Sequence, residues 1–182
     1  MDMTEKMISR QTIHKGKITE YTLEEVLLPN GENAQREIVR HAAASAVLPI
    51  MPNGNALFVK QFRKPLDRTL IEIPAGLIDP EDEDELAAAK RELLEETGYQ
   101  ANEWQMITSF YSSPGFTDEC LYLFTATDLI KETEILQLDE GEFLEVMELS
   151  FEEAWRLYEK KEIQDAKSVF ALFYWKSIRI GK

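Results

Sequence analysis

The chain has 182 residues, 44% of them hydrophobic, which suits one domain with a real core, or one domain with a small extension. Its net charge of −14 argues against a general nucleic-acid binder, which needs a basic face; no stretch approaches the roughly 18 to 20 apolar residues that span a bilayer. Met1 to Arg10 lacks the apolar run of a secretory signal, and the single Cys120 permits no internal disulfide, so a soluble cytoplasmic protein is expected.

The first half reads as strands. Lys17 to Leu28 is strand-like and ends in the turn signal Leu28-Pro29-Asn30-Gly31. Glu37 to Arg40 and Ala42 to Ile50 follow, and Met51-Pro52-Asn53-Gly54 forms a second turn from which Ala56 to Arg63 is expected to fold back as a hairpin. Leu70 to Ile73 is a short strand stopped by Pro74 and Gly76.

From Asp82 to Thr97 the period changes: Leu86, Ala89, Leu93 and Thr97 recur at helical spacing. Asp82 with Glu85 has the form of a helix start, and Gly98 stands where a C-terminal cap belongs. Strands return at Gln105 to Tyr111, Leu121 to Thr127 and Phe143 to Leu149. Ser150 is placed to cap a helix through Trp155, and a last helix begins at Asp165 or Ala166. The sum is a mixed α/β fold with antiparallel sheet and a few helices.

Chemistry concentrates on Gly76 to Tyr99. Glu92, Glu95 and Glu96 stand at i, i+3 and i+4, so their carboxylates share one helical face. Such crowding destabilises an isolated helix unless a hard divalent cation takes up the charge, and oxygen ligands are what Mg²⁺ prefers. Arg91, four residues before Glu95, is placed to hold that carboxylate. An acidic chain can bind a phosphorylated small molecule through such cations.

This segment resembles the Nudix box, G-x5-E-x7-R-E-U-x-E-E-x-G-U, with U a bulky apolar residue. Arg91, Glu92, Leu93, Glu95, Glu96, Gly98 and Tyr99 fill its second half in register. In the first half, counting back from Arg91 puts the box glutamate at Glu83, one residue too far from Gly76, which we read as an insertion in the loop Asp79 to Asp82. Further segments resemble the ADP-ribose pyrophosphatase branch: Leu28-Pro29-Asn30-Gly31 with Arg36-Glu37-Ile38-Val39, Gln61-Phe62-Arg63, Ile71 to Gly76, Ser113 to Glu119, and Asp165-Ala166-Lys167-Ser168.

The resemblance implies an α/β (α+β) Nudix fold, a mixed sheet sandwiched between helices with an N-terminal antiparallel strand extension. Residues 1–40 would contribute to a homodimer and residues 41–182 would form the hydrolase domain. It implies Mg²⁺-dependent hydrolysis of a nucleoside diphosphate sugar, ADP-ribose to AMP and ribose 5-phosphate, with Mn²⁺ able to replace Mg²⁺. Metal ligands would be Glu92, Glu96 and the Ala75 carbonyl, with Glu142 added; Arg91 would support them, and Glu140 would act as the base, Gly141 giving that acidic loop its mobility. Arg63 would grip phosphate, Glu72 would hydrogen-bond a ribose or a metal-bound water, Arg36 and Glu37 would hold the nucleotide end, and the loop with Gly115 and Glu119 would flank the terminal sugar. GDP-mannose is the alternative substrate. A sensing domain without turnover would require loss of the helix carboxylates, and here all three stand; triphosphate house-cleaning fits the N-terminal strands and the Ser-Pro-Gly loop less well. His14, His41, Cys120, Trp104, Trp155 and Trp175 are read as structural.

Overall fold

A computed structural model describes residues 2–132 and 143–180. The chain divides into two compact units, one of Met1–Ala43 with Phe110–Cys120, the other of Ala44–Ser109 with Leu121–Lys182.

In the first unit, β1 (Lys6–Lys15), β2 (Thr19–Leu27) and β3 (Asn33–His41) form an antiparallel meander in that order. Gly31, at φ +87°, closes the β2–β3 turn in a conformation that side chains resist. Strand β1 falls within the N-terminal strand region expected over residues 1–40 but precedes Lys17, where the first individual strand is expected to begin, and every one of its ten residues is exposed. The inward face of β2 carries Thr22, Glu24 and Val26, all buried. Buried Glu24 is tolerated because Arg10 and Arg40 pair with it at 2.7 and 2.9 Å.

The second unit holds two sheets. One is antiparallel, in the order β10 (Leu144–Leu149), β5 (Ala56–Arg63), β6 (Arg68–Glu72). The other is mixed, in the order β7 (Ala75–Leu77), β4 (Ala44–Pro49), β9 (Cys120–Lys131), β8 (Tyr99–Tyr111). The expected hairpin between β4 and β5 does not form. Gly54 does close a turn, donating to the Met51 carbonyl at 2.8 Å, but only an isolated bridge from Ile50 to Ala56 joins the two strands. Instead β4 runs parallel to β9 and antiparallel to β7. Buried along its whole length, β4 is apolar but for Ser45, whose hydroxyl donates to the Glu85 carbonyl at 2.7 Å, the pattern of a strand covered on both faces.

Helix α1 (Glu85–Thr97) lies on one face of the mixed sheet, its Ala89 and Leu93 packing with Val47, Phe124 and Ala126. Truncating Leu93, which is fully buried, to alanine is worth about 2 to 5 kcal/mol of stability. The alternate residues Thr125 and Thr127 face a hollow shared with Tyr174 and Ile178 of α3 (Ala166–Ile180). Helices therefore cover both faces of this sheet, as expected. The cap of α1 is Asp84, whose carboxylate accepts from the Ala87 N–H at 2.7 Å; Asp82, the expected start, is used elsewhere. Gly98 ends the helix at φ +72°. Ser150 caps α2 (Phe151–Glu159) with a full capping box to Glu153.

Candidate active site on the first helix

The three glutamates of α1 are not left to repel one another. Arg91 pairs with Glu92 at 2.6 Å and with Glu95 at 3.0 Å, as the four-residue spacing predicts for Glu95. The same guanidinium reaches back to the acidic loop, meeting Asp82 at 2.9 Å and Asp79 at 3.2 Å, and donates to the Leu77 carbonyl at 2.8 Å. One cation thus joins α1, β7 and the loop between them. The Asp82 hydrogen bond, working against burial and aided by the Glu92 charge, raises the Arg91 pKa above its ordinary value. Arg91 in turn lowers that of Asp82.

This arrangement answers the question of the insertion. Counting from Arg91 points to Glu83, yet Glu83 is exposed and Asp82, its side chain only 8% exposed, meets the arginine.

Glu92 and Glu96 both turn toward the backbone of β7. Glu96, 5% exposed, accepts from the Ala75 N–H at 3.0 Å. Glu92 lies so close to Gly76 that a Cβ there would sit 2.0 Å from its Oε1. Two carboxylates therefore converge on Ala75–Gly76, a cradle that a side chain at residue 76 would fill. This set of hard oxygen donors suits a divalent cation of the Mg²⁺ kind. Among the described residues, no group of three or more His, Cys, Asp or Glu gathers at one metal-sized point. Glu140, Gly141 and Glu142 lie outside the described residues.

A second polar cluster stands beside the first. Glu72, at the end of β6, is 1% exposed. Arg63 at the end of β5 grips it in bidentate fashion, Nε to Oε1 and Nη2 to Oε2, both at 2.8 Å. Lys167, in the first turn of α3, also donates to Glu72 Oε2, and to Asp165 at 2.9 Å. Burial pushes the Glu72 pKa up, but the Arg63 hydrogen bonds and the charges of Lys167 and Arg63 pull harder and bring it to about 2. The field of Glu96 also reaches Arg63, so the two clusters are electrostatically joined. Lys167 and Asp165 appear in the sequence only as part of a matching segment. The pairing of Lys167 with Glu72 spans 95 residues, and no local pattern signals it.

The remaining candidates belong to the first unit. Arg36 pairs with Glu5 across the meander, with Nε to Oε2 at 2.9 Å. Glu37 hydrogen-bonds Tyr21, whose phenol pKa is raised by burial first and by Glu37 second. Gly115 lies in the turn where Phe116 and Thr117 both donate to the Ser113 carbonyl at 3.1 Å; a Cβ there would meet nothing within 4 Å. Glu119 stands 3.4 Å from His41 Nδ1. Asp118, not singled out in the sequence, ties this loop to β3 through the Arg40 guanidinium and the His41 N–H, both at 3.0 Å.

Comparison with known proteins bears on this geometry. A family model described as NUDIX domain matches residues 39–173. An ADP-ribose pyrophosphatase of Bacillus subtilis is 48% identical over 172 residues, covering 94% of this chain and 92% of the relative. A methanol dehydrogenase activator of Bacillus methanolicus is 41% identical, covering 93% and 91%. A GDP-mannose pyrophosphatase of Yersinia enterocolitica is 35% identical, covering 87% and 86%. The solved structure of an ADP compounds hydrolase superposes with a TM-score of 0.87 at 23% identity, covering 100% of this chain and 97% of that one, which establishes a common fold.

Proposed function

The chain belongs to the Nudix family, and from that premise we propose that it hydrolyses the diphosphate of a nucleoside diphosphate sugar, ADP-ribose to AMP and ribose 5-phosphate. The observation that carries this reading is the convergence of Glu92 and Glu96 on Ala75–Gly76, with Arg63 in the field of Glu96. The relatives named for ADP-ribose and GDP-mannose pyrophosphatase activity support the substrate class.

Glu92, Glu96 and the Ala75 carbonyl, with Glu142, would hold Mg²⁺, or Mn²⁺ in its place, which supplies charge neutralisation of the diphosphate and a bound water of lowered pKa. Arg91 fixes the Glu92 and Glu95 carboxylates. Glu140 accepts the proton of the attacking water. Arg63 presents the Nη1 edge of its guanidinium to a phosphate, its Nε and Nη2 being held by Glu72. Glu72 thereby acts through Arg63, and is also assigned to a ribose or a metal-bound water. Arg36 and Glu37 are assigned to the nucleotide end across the dimer, and the loop of Gly115 and Glu119 to the terminal sugar.

We also assign a homodimer. Strand β1 exposes Met7, Ile8 and Ile13 along its length, the kind of surface a second copy would cover. The expected cytoplasmic setting suits the lone cysteine. No helix among the described residues is long and apolar enough to cross a membrane.

A product assay with Mg²⁺ over ADP-ribose, GDP-mannose and nucleoside triphosphates tests the reading. The highest kcat/KM on ADP-ribose, with AMP and ribose 5-phosphate formed one to one, is the expected result; preference for GDP-mannose would overturn the substrate while leaving the chemistry. The relative that activates a methanol dehydrogenase favours a second role. Adding this protein to a methanol dehydrogenase tests that role, and an unchanged oxidation rate rejects it.

A further inference from the structure

The ion cluster at Glu72 joins two cations, Arg63 and Lys167, to two carboxylates, Glu72 and Asp165, and both cations meet on Glu72. Arg63 alone supplies a bidentate partner and a neutralising charge. Lys167 is nevertheless brought from α3 to the same Oε2, its side chain only 11% exposed. A lysine taken this far out of water loses hydration and rotamer freedom, a cost that its pairing with Asp165 and Glu72 offsets.

The cluster's surroundings give the lysine a use. The first turn of α3 is joined to the strand segment that carries the site: Ser168 Oγ accepts from the Ile73 N–H at 2.9 Å, two residues before Ala75. Asp165 fixes that turn by accepting from the Ser168 N–H at 3.1 Å. Charge then decides the matter. Arg63 and Glu72 sum to zero, as do Lys167 and Asp165, and the neighbouring field of Glu96 is negative. Because Lys167 draws on Glu72 Oε2 as well as on Asp165, Arg63 Nη2 shares its acceptor oxygen with a second cation.

We propose that Lys167 is a positioning residue for substrate binding: by sharing the Glu72 carboxylate with Arg63, it keeps the outer edge of that guanidinium aimed and cationic toward a phosphate group. This rests on the diphosphate reading above. It assigns to the start of α3 control of affinity for the anionic part of the substrate, separate from the metal-bearing carboxylates of α1.

Four variants test it, read by KM, kcat and calorimetric affinity for ADP-ribose in EDTA, where no turnover occurs. Lys167→Met is expected to raise KM and the metal-free Kd at least fivefold while kcat stays within threefold. Lys167→Arg, which keeps the charge, restores at least half of the lost affinity. Ser168→Ala removes the neutral brace to Ile73; it lowers Tm and leaves KM unchanged. Asp165→Asn keeps the cap oxygen but removes the competing charge on Lys167, so KM is unchanged or lower. KM and Kd of Lys167→Met at wild-type values would overturn the proposal, as would equal KM increases in Lys167→Met and Ser168→Ala, the mark of a merely structural brace. Should Lys167→Met fail to fold, a raised KM in Asp165→Asn or no affinity retained in Lys167→Arg overturns it just as directly. Wild-type turnover reports on the diphosphate reading by itself: if the wild type cleaves ADP-ribose and Lys167→Met binds it normally, only the role of Lys167 falls.

Discussion

Gly76→Ala separates the site from the fold. The glycine lies in β7 opposite Ser45, and its backbone is outside the left-handed region, so alanine can adopt the same conformation. The added Cβ would stand 2.0 Å from Glu92 Oε1, whereas real Cβ contacts under 3.0 Å are essentially never seen. The carboxylate must therefore retreat by about 1 Å. It is the far end of a flexible side chain, so the folded state loses only an off-rotamer cost of about 0.5 to 1.5 kcal/mol. Replacing glycine also narrows the unfolded ensemble, which returns about 0.4 to 1 kcal/mol. Stability should scarcely change, and Tm should fall by no more than about 4 °C in a chain of this size. Activity should suffer far more. A displacement of about 1 Å in a reacting site can cost about 100-fold, equivalent to roughly 2.7 kcal/mol in the barrier. The assay is kcat/KM on ADP-ribose across a Mg²⁺ titration, beside thermal unfolding followed by circular dichroism. A variant within threefold of wild-type kcat/KM would refute the reasoning, because Glu92 would then tolerate exclusion from the cradle.

The other residues yield distinct expectations. Glu96→Gln keeps an acceptor for the Ala75 N–H, so the fold should survive while kcat falls about 100- to 1,000-fold, a loss on the scale of other removed electrostatic contacts; near-normal turnover would remove it from the metal site. Glu140→Gln should likewise cut kcat, and little loss would move the base elsewhere in its loop. Asp82→Asn should lower activity about 10- to 100-fold by loosening Arg91, whereas Glu83→Gln should leave it unchanged; the reverse ranking would restore Glu83 to the box position. Glu72 has a folded pKa of about 2 against an ordinary 4.5, so its ionised form stabilises the fold above pH 4.5, and that contribution, about 3 kcal/mol at most, is lost as pH falls toward 2. Urea midpoints of wild type and Glu72→Gln should therefore differ at pH 7 and draw together only as pH falls toward 2; a gap constant with pH would contradict the assignment.

Where a single element imposes its own period, the sequence was readable. The apolar residues of α1 recur at helical spacing and Gly98 supplies its cap, while Ser150 and Glu153 announce α2. Strands were harder to read because tertiary partners set their polarity. The inward face of β2 includes Thr22 and Glu24, which mask its alternation, and Glu24 is tolerable only because two arginines from neighbouring strands reach it. Strand β1 buries nothing in the described chain, so its residues carry no hydrophobic period at all. The β4–β5 turn lies where Pro52-Asn53-Gly54 signals it, yet a turn does not dictate pairing: β4 pairs with β9, 77 residues further along (Ala44 with Leu121), in a sheet whose partners no local pattern names. Lys167 was hidden for the same reason, since its chemistry exists only where α3 meets β6.

The crowding of Glu92, Glu95 and Glu96 first pointed to a metal, but the structure changes what that crowding means. Arg91 takes up Glu92 and Glu95, and the Ala75 N–H takes up Glu96, so the fold keeps these carboxylates paired before any cation arrives. Metal binding then adds to a formed site instead of creating one, unlike small domains whose folding depends on the ion. A concrete difference follows. Chelation should leave the wild type cooperatively folded, and Mg²⁺ at a hundredfold excess over its Kd should add about 2.7 kcal/mol, or roughly 5 to 10 °C in Tm. Arg91→Met removes the resident cation and leaves the like charges on one turn, so the EDTA-treated variant should lose more stability than the wild type and gain more from Mg²⁺. Were the wild type to unfold on chelation, or the variant to gain no more than the wild type, the arginine would not be the charge that lets this turn form.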